Sequence, residues 1–261
     1  MAFALQLLAQ VPMAKIPWHS DQHLQDLALV MALTNRARLD AHCDTDGLKE
    51  LLGPALVQTY QREIRGRSAC LSGTTHISVM DAAGNSAAMT VSNGEGCGKI
   101  LPGTGIMLNN VLGEEDINPE GFQRWQTNQR MTSMMTPSLI EMPDGWTALG
   151  SGGSNRIRTA LLQVISNLVD FQMSPQAAVD SPRLHLEQQQ LDIETVTAPQ
   201  TPLDLPHGGL EESALAAEYP GYKRWPERNL FFGGVHLVRQ QQGRFDGAGD
   251  PRRGGLVKIV H

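Results

Sequence analysis

Apolar residues near the start of the chain recur at helical spacing. Leu24, Leu27, Val30, Met31 and Leu33 fall on one stripe, and Ser20 stands just before it with an oxygen able to cap a helix. This predicts a helix from Ser20 to about residue 42. Residues 1–14 are also apolar and read as a helix, and a further helical stretch covers about 46–64 with a break at Gly53-Pro54. Beyond residue 73 the spacing of apolar positions shortens to every second residue. Thr74 to Met80 alternates polar and apolar, Asp81-Ala82-Ala83-Gly84-Asn85 supplies turn chemistry, and Ser86 to Ser92 resumes as a strand, which together predict a β-hairpin. A glycine-rich loop (94–105) then leads to a short strand in "GIMLNN", and residues 113–130 are polar and irregular, as in a surface loop or lid.

"PSLIEM" (137–142) and "WTALG" (146–150) flank Pro143-Asp144-Gly145 as a second hairpin. "RIRTALLQVISNLVDF" is strongly amphipathic and reads as a helix with Ser154 or Asn155 at its N-cap. A short helix from Ser174 to Ser181 stops at Pro182; "RLHLE", "QLDIE" and "FFGGVHLVRQ" read as strands, with a helix near 210–218 between the last two. Helices, two hairpins, two helices and then strands is the order of an α+β fold with antiparallel sheets, not of a repeated βαβ wind. A chain of 261 residues holds one large domain or two small ones.

Composition narrows the partners. Hydrophobic content of 41% and charged content of 18% describe an ordinary soluble globular protein. A net charge of −6 argues against nucleic acid or an anionic membrane as the main partner. Arg244, Arg252, Arg253 and Lys258 do cluster near the end, but Asp246 and Asp250 interleave with them, so "GDPRRGG" reads as a turn held by Asp250 and Arg252. The apolar run from Leu27 to Leu33 is far too short to span a bilayer, and residues 1–14 lack the basic start of a secretory signal. Cys43, Cys70 and Cys97 are odd in number and have no metal-like spacing, so reduced, buried thiols are expected and the compartment stays open.

Two stretches carry chemistry. The first is Gly73-Thr74-Thr75-His76, where helical sequence gives way to a strand. A threonine hydroxyl attacks poorly without a neighbouring base, and a threonine that begins a chain has one in its own α-amine, whose pKa of about 7.7–8.0 suits neutral pH. Exposing that amine requires scission between Gly73 and Thr74, and a glycine there gives the hydroxyl room to reach the preceding carbonyl. The same four residues also fit a plain loop entering a strand. The second stretch is Gly150-Ser151-Gly152-Gly153-Ser154, between a predicted strand and a predicted helix. Amides crowded at a helix start can bind phosphate or an acyl-transfer oxyanion, and a tight turn needs the same glycines. Other motifs fail: Gly98-Lys99 lacks the rest of a P-loop, there is no G-x-S-x-G, and His19, His23, His42 and Cys43 do not complete a zinc site. Glu114, Glu115 and Asp116 beside Asn109-Asn110 fit either a solvated loop or the wall of an amine pocket.

Taken in order, "GTTHISVMDAAGNSAAMT", "GTGIMLNN", "RMTSMMTPSLI", "GSGGSNRI", "DSPRLHLE" and "GAGDPRRGG" resemble the γ-glutamyltranspeptidase family of N-terminal nucleophile hydrolases. The resemblance runs from about residue 20 to the C-terminus. It implies an αββα sandwich, incomplete on the heavy-chain side, with residues 1–73 as the end of a heavy-chain-like segment and 74–261 as a light-chain-like catalytic segment, the two forming one joint domain. It implies Thr74 as nucleophile after autoprocessing, Ser92 as its hydroxyl partner, and Gly152 and Gly153 as the oxyanion loop. Asn93 and Glu114 would hold the substrate α-amino group, and Thr132 and Ser133 its α-carboxylate. Val111 stands where the family usually has glutamine, and Glu114 where it has aspartate. The implied substrate is a small γ-glutamyl-type amide such as glutathione, or a dicarboxyl amide in related acylases, and the chemistry calls for no metal or organic cofactor. A family precursor is roughly twice this long, which implies a heavy-chain partner or a second copy, or else an unprocessed subunit.

Overall fold

The computed structural model describes residues 1–40, 73–94, 96–114, 117, 118, 121–128, 130–187, 189–195 and 218–260. In chain order the elements are α1 (Ala2–Leu8), α2 (Asp21–Asp40), β1 (Thr74–Met80), β2 (Ser86–Ser92), β3 (Ser138–Met142), β4 (Gly145–Gly152) and α3 (Arg156–Val169). There follow α4 (Pro175–Asp180), β5 (Leu184–Glu187), β6 (Gln190–Glu194), β7 (Lys223–Trp225), β8 (Gly234–Gln241) and β9 (Arg244–Ala248). The helical stretch expected at 46–64 and most of the helix expected near 210–218 lie outside the described residues. The chain forms two compact units, Met1–Ala69 with Leu162–Phe232 and Cys70–Leu161 with Gly233–His261.

In the first unit Ser20 caps α2. Its Oγ accepts from the His23 N–H at 3.3 Å, and its carbonyl from Leu24 N–H at 3.0 Å. The expected stripe is the buried one: Leu24, Leu27, Val30, Met31 and Leu33 are 3% exposed or less. They share a core with Phe3, Leu7 and Leu8 of α1 and with Leu184, Leu186, Leu191 and Ile193 of β5 and β6. Each such side chain removed from water contributes roughly 1.5–3 kcal/mol. The helix expected over 1–14 stops at Leu8, because Pro12 disfavours helical backbone before it and the chain turns through Met13–Lys15. Gln163 of α3 docks on β5, donating to the Leu184 carbonyl at 2.8 Å and accepting from its N–H at 2.9 Å. In "DSPRLHLE", Arg183 is buried and donates to the carbonyls of Phe232 (3.2 Å) and Val179 (3.0 Å), so that motif is a staple inside this unit. β7 was not foreseen; it pairs parallel to β6 over three residues, where antiparallel sheets were expected.

The second unit holds the β1–β2 hairpin and a four-stranded sheet in the order β3-β4-β8-β9. Asp81 makes the first hairpin turn, its Oδ1 accepting from the N–H groups of Ala83 (2.9 Å) and Asn85 (2.8 Å). β9 extends the expected "FFGGVHLVRQ" strand into a hairpin through Gln242-Gly243, both at positive φ, while Leu230–Phe232 is a single 3-10 turn rather than part of that strand. "GIMLNN" contributes one bridge, Ile100 to Met107, flanked by hydrogen bonds from Leu101 N–H to the Ile106 carbonyl (2.9 Å) and from Leu108 N–H to the Lys99 carbonyl (3.0 Å), rather than a full strand. The hairpin's polarity decides where the chemistry sits. Thr74, His76 and Ser78 face the four-stranded sheet, whereas Ile77, Val79, Met89 and Val91 face away and are 47–55% exposed.

Candidate active site

The strand that carries Thr74 is anchored from the residue before it. The Gly73 N–H donates to the Gly94 carbonyl at 2.5 Å, and the Gly73 carbonyl accepts from Asn93 N–H at 3.1 Å. A Cβ on Gly73 would come within 2.9 Å of the Gly94 oxygen, so glycine is required at this position. Thr74 is thus the first residue of β1, half-buried, with the Gly73–Thr74 bond at the mouth of the hairpin and Gly73 exposed. Thr74 and Ser92 are cross-strand partners, and their hydroxyl oxygens are 3.0 Å apart. The Ser92 Oγ also accepts from Gly94 N–H at 3.1 Å, which fixes it beside the Thr74 hydroxyl.

β4 reaches Thr74 with backbone alone. A side chain on Gly152 would collide with the Thr74 carbonyl oxygen, and one on Gly150 with the His76 ring. Gly153 then turns at φ 136, with Gly233 only 2.7 Å from where its Cβ would sit. Ser151 ties the turn down, donating to the Gly152 carbonyl at 3.1 Å and accepting from Gly234 N–H at 3.2 Å. α3 starts directly after, with Arg156 N–H donating to the Gly153 carbonyl at 3.2 Å. The glycine turn therefore sits at the positive end of a 14-residue helix, where developing negative charge is favoured.

The loop after β2 gathers the other residues. The Asn93 carbonyl accepts from Asn110 N–H (3.2 Å) and Gly96 N–H (3.0 Å), and a Cβ on Gly94 would strike the Asn110 side chain. Val111 lies against Gly94 in a single 3-10 turn, Val111–Gly113, which hands the chain to half-buried Glu114. Asn118 braces that loop, its Nδ2 donating to the carbonyls of Leu112 (3.0 Å) and Glu114 (2.6 Å). Thr132 and Ser133 lie in the irregular run before β3, where the Ser133 hydroxyl accepts from Met135 N–H at 3.2 Å. Thr74, Ser92, Asn93 and Gly152 are brought together, and Glu114 follows on the loop that touches them.

One feature was not read from the residues, and one was. His76 is buried, with its Nδ1 2.7 Å from Thr90 Oγ1 and its Nε2 2.7 Å from Ser78 Oγ; burial and then His236 push its pKa down to about 4, so it is neutral at pH 7. Its place two residues after Thr74 was the available signal. Asp250 is fully buried, and its Oδ1 accepts from Arg252 N–H (2.9 Å) and Arg252 Nη1 (3.3 Å), as the turn reading of "GDPRRGG" expected. Its second oxygen reaches β8, accepting from Val235 N–H at 2.9 Å. Among the described residues no three His, Cys, Asp or Glu converge as metal ligands, no helix is long and apolar enough to cross a membrane, and Cys97 is a free thiol that is exposed rather than buried.

Residues 1–260 match the gamma-glutamyltranspeptidase family. The chain belongs to that family. An acylase ACY 1 proenzyme from Pseudomonas sp. (strain SE83) is 37% identical over 190 residues, which are 66% of this chain and 34% of the relative. A glutathione hydrolase proenzyme from Bacillus subtilis (strain 168) is 36% identical over 115 residues, 43% of this chain and 20% of the relative. Among solved structures, cephalosporin acylase from Bacillus halodurans matches with a TM-score of 0.70 at 20% identity, covering 100% of this chain and 49% of that one. The Bacillus anthracis transpeptidase CapD matches at 0.57 and 24% identity, over 71% of this chain and 99% of that one. The chain therefore spans about a third of the first curated relative it matches. Its fold is that of the N-terminal nucleophile hydrolases of this family, as the ordered motifs implied.

Proposed function

We propose that this member of the gamma-glutamyltranspeptidase family is an amidohydrolase and acyltransferase acting on γ-glutamyl amides through Thr74. The observation that carries the reading is the Thr74 hydroxyl, 3.0 Å from Ser92 Oγ, with the Gly152 backbone packed on the carbonyl of the same threonine. In the continuous chain the Thr74 nitrogen is an amide. Its Oγ attacks the Gly73 carbonyl carbon, the acyl group moves from nitrogen to oxygen and so frees the α-amine, and water hydrolyses the ester to release the Gly73 carboxylate and restore the Thr74 hydroxyl. That amine then takes the hydroxyl proton as Oγ attacks the substrate amide, and the amides of Gly152 and Gly153 hold the oxyanion. The leaving amine receives the proton, and water or an acceptor amine releases the acyl group from Thr74. Wild-type protein is expected to appear as two fragments split after Gly73 by intact mass and to turn over a chromogenic γ-glutamyl anilide. Thr74→Ala is expected to stay whole and lose activity on the order of 10⁴-fold. Equal rates would reject the reading.

Val111 favours a second substrate. Its backbone N–H lies against Gly94, and its apolar side chain stands where the family usually has a glutamine able to accept from an ammonium; an ammonium left unpaired in a buried site costs several kcal/mol. The similarity to the ACY 1 acylase points the same way. In this reading a glutaryl amide is turned over faster than its γ-glutamyl counterpart, and the reverse ratio removes it. We further propose that the working protein includes heavy-chain-type polypeptide against the outward face of the hairpin, supported by exposed Ile77, Val79, Met89 and Val91. A native mass equal to one chain alone counts against that assembly.

A further inference from the structure

The glycine turn after β4 carries a buried backbone donor that nothing nearby uses. Gly153 is buried, and its N–H makes no hydrogen bond among the described residues. Folded proteins rarely leave such a group unpaired, because it has lost its water without gaining an acceptor. The turn adjoins Thr74 directly. Gly152, on which a Cβ would strike the Thr74 carbonyl oxygen, leads straight into the Gly152–Gly153 peptide.

One side chain holds that peptide. Ser151 is 0% exposed; its Oγ accepts from Gly234 N–H at 3.2 Å and donates to the Gly152 carbonyl at 3.1 Å. An amide N–H can only donate and a carbonyl can only accept, so the direction of the hydroxyl proton is fixed. It points at the Gly152 oxygen. In a planar trans peptide the C=O and the following N–H point opposite ways, so a bond that holds the Gly152 oxygen also aims the Gly153 N–H. The hold matters because the residues on both sides of this peptide are glycines, whose backbones rotate with little steric resistance. Gly233, at φ 75, keeps clear of the pair: a Cβ there would come within 3.1 Å of both the Ser151 Oγ and the Gly152 oxygen. The start of β8 therefore supplies an anchor for Ser151 without crowding the turn.

We propose that Ser151 is a positioning residue, whose bond to the Gly152 carbonyl keeps the Gly153 N–H aimed at the oxyanion. The inference rests on Thr74 being the nucleophile and on Gly153 being an oxyanion donor. A fixed donor of this kind acts on charge that exists only in the transition state, so its loss appears in kcat rather than in KM. Ser151→Ala is expected to lower kcat on the γ-glutamyl anilide roughly 10- to 100-fold while KM stays within about threefold. Ser151→Thr keeps the hydroxyl and is expected to hold kcat within about threefold of wild type. Should Ser151→Ala fail to fold by circular dichroism, Ser151→Cys, similar in size but a weak donor, is expected to lose kcat in the same way.

The aim of the amide can be read without turnover. Glycine labelled with carbon-13 at its carbonyl and with nitrogen-15 gives correlated amide signals only across Gly-Gly bonds, and Gly152–Gly153 and Gly233–Gly234 are two of these. Both the Gly153 and the Gly234 signals are expected to shift or broaden in Ser151→Ala. An unmoved Gly153 signal, a wild-type kcat in Ser151→Ala, or a folded Ser151→Thr as slow as Ser151→Ala overturns the proposal. Scission after Gly73 and anilide turnover in the wild type report on the nucleophile separately. A Gly153 signal that moves in a protein that neither cleaves nor turns over would keep the Ser151 hold and remove the reaction.

Discussion

In the unit holding residues 1–69 and 162–232, α2 meets β5 and β6 through side chains: Leu27, Leu191 and Ile193 are 2% exposed or less and fill the space between elements. In the other unit, β1 meets β4 where side chains are missing, at Gly150 under His76 and Gly152 under Thr74. The first arrangement tolerates change in proportion to the volume removed. The second tolerates none, because a single carbon has nowhere to go, and it places two backbones close enough for one to serve the chemistry of the other.

Adding a methyl group where β1 meets β4 is the sharpest way to test that difference. Gly152→Ala is expected to push Thr74 off its position by a fraction of an ångström or more, lowering both scission after Gly73 and anilide turnover by about 100-fold. Removing methyl groups from the other unit should act differently. Leu27→Ala is expected to cost about 2–5 kcal/mol in urea unfolding while turnover per folded molecule stays within about twofold. If Leu27→Ala lowers turnover as far as Gly152→Ala does, the two units are not separable in this way.

The same contrast explains what the amino-acid pattern revealed. The α2 stripe, Ser20, both main hairpins, α3 and α4 were legible because they rest on period and capping, which are local. β7 and β9 were not, since a three-residue parallel strand and a polar edge strand leave little periodic signal. Within the site, Thr74, Ser92 and the glycine turn were named from motif order; Thr74 and Ser92 lie 3.0 Å apart, with Gly152 packed on the Thr74 carbonyl. The bond from Gly234 to Ser151 was invisible, because a contact between strands distant in sequence is set by tertiary packing rather than by neighbours in sequence.

Each unit also buries a histidine whose pKa is pushed down, and acid should strain both. His23 lies in the first turn of α2, 3% exposed, with its Nδ1 accepting from His19 N–H at 2.9 Å and its ring edge-on to Phe171 at 5.1 Å. Because Nδ1 accepts, the neutral ring carries its proton on Nε2, which has no hydrogen-bond partner among the described residues. Burial first, and His19 second, push the pKa down to about 3. In the unfolded chain the group titrates near 6.5, so between 6.5 and 3 the unfolded state binds a proton that the folded state refuses. The stability is whole above pH 6.5 and falls as pH drops, by about 2 kcal/mol at pH 5. Urea midpoints at pH 7.5 and 5.0 check this, and His23→Leu should flatten the difference. His76, held near 4, acts in the same direction in the other unit.

The smallest effect belongs to the cap that starts α2. Ser20 accepts one otherwise unpaired backbone N–H, and its donor is His23 itself, at a rather long 3.3 Å. Caps of this kind are worth about 0.5–2 kcal/mol, and the length places Ser20→Ala near the lower end. The cap and the histidine are not independent, however, because the residue that donates to Ser20 is the one whose ring resists protonation. Charging His23 adds a cation at a helix start, where the dipole already disfavours it, and loosens the turn that the cap secures. Ser20→Ala is therefore expected to cost about 0.5–1 kcal/mol at both pH 7.5 and pH 5.0, where the folded ring is still neutral, and less only as pH approaches 3. A cost that has already fallen at pH 5.0 would show that the ring takes up its proton in the folded protein well above pH 3.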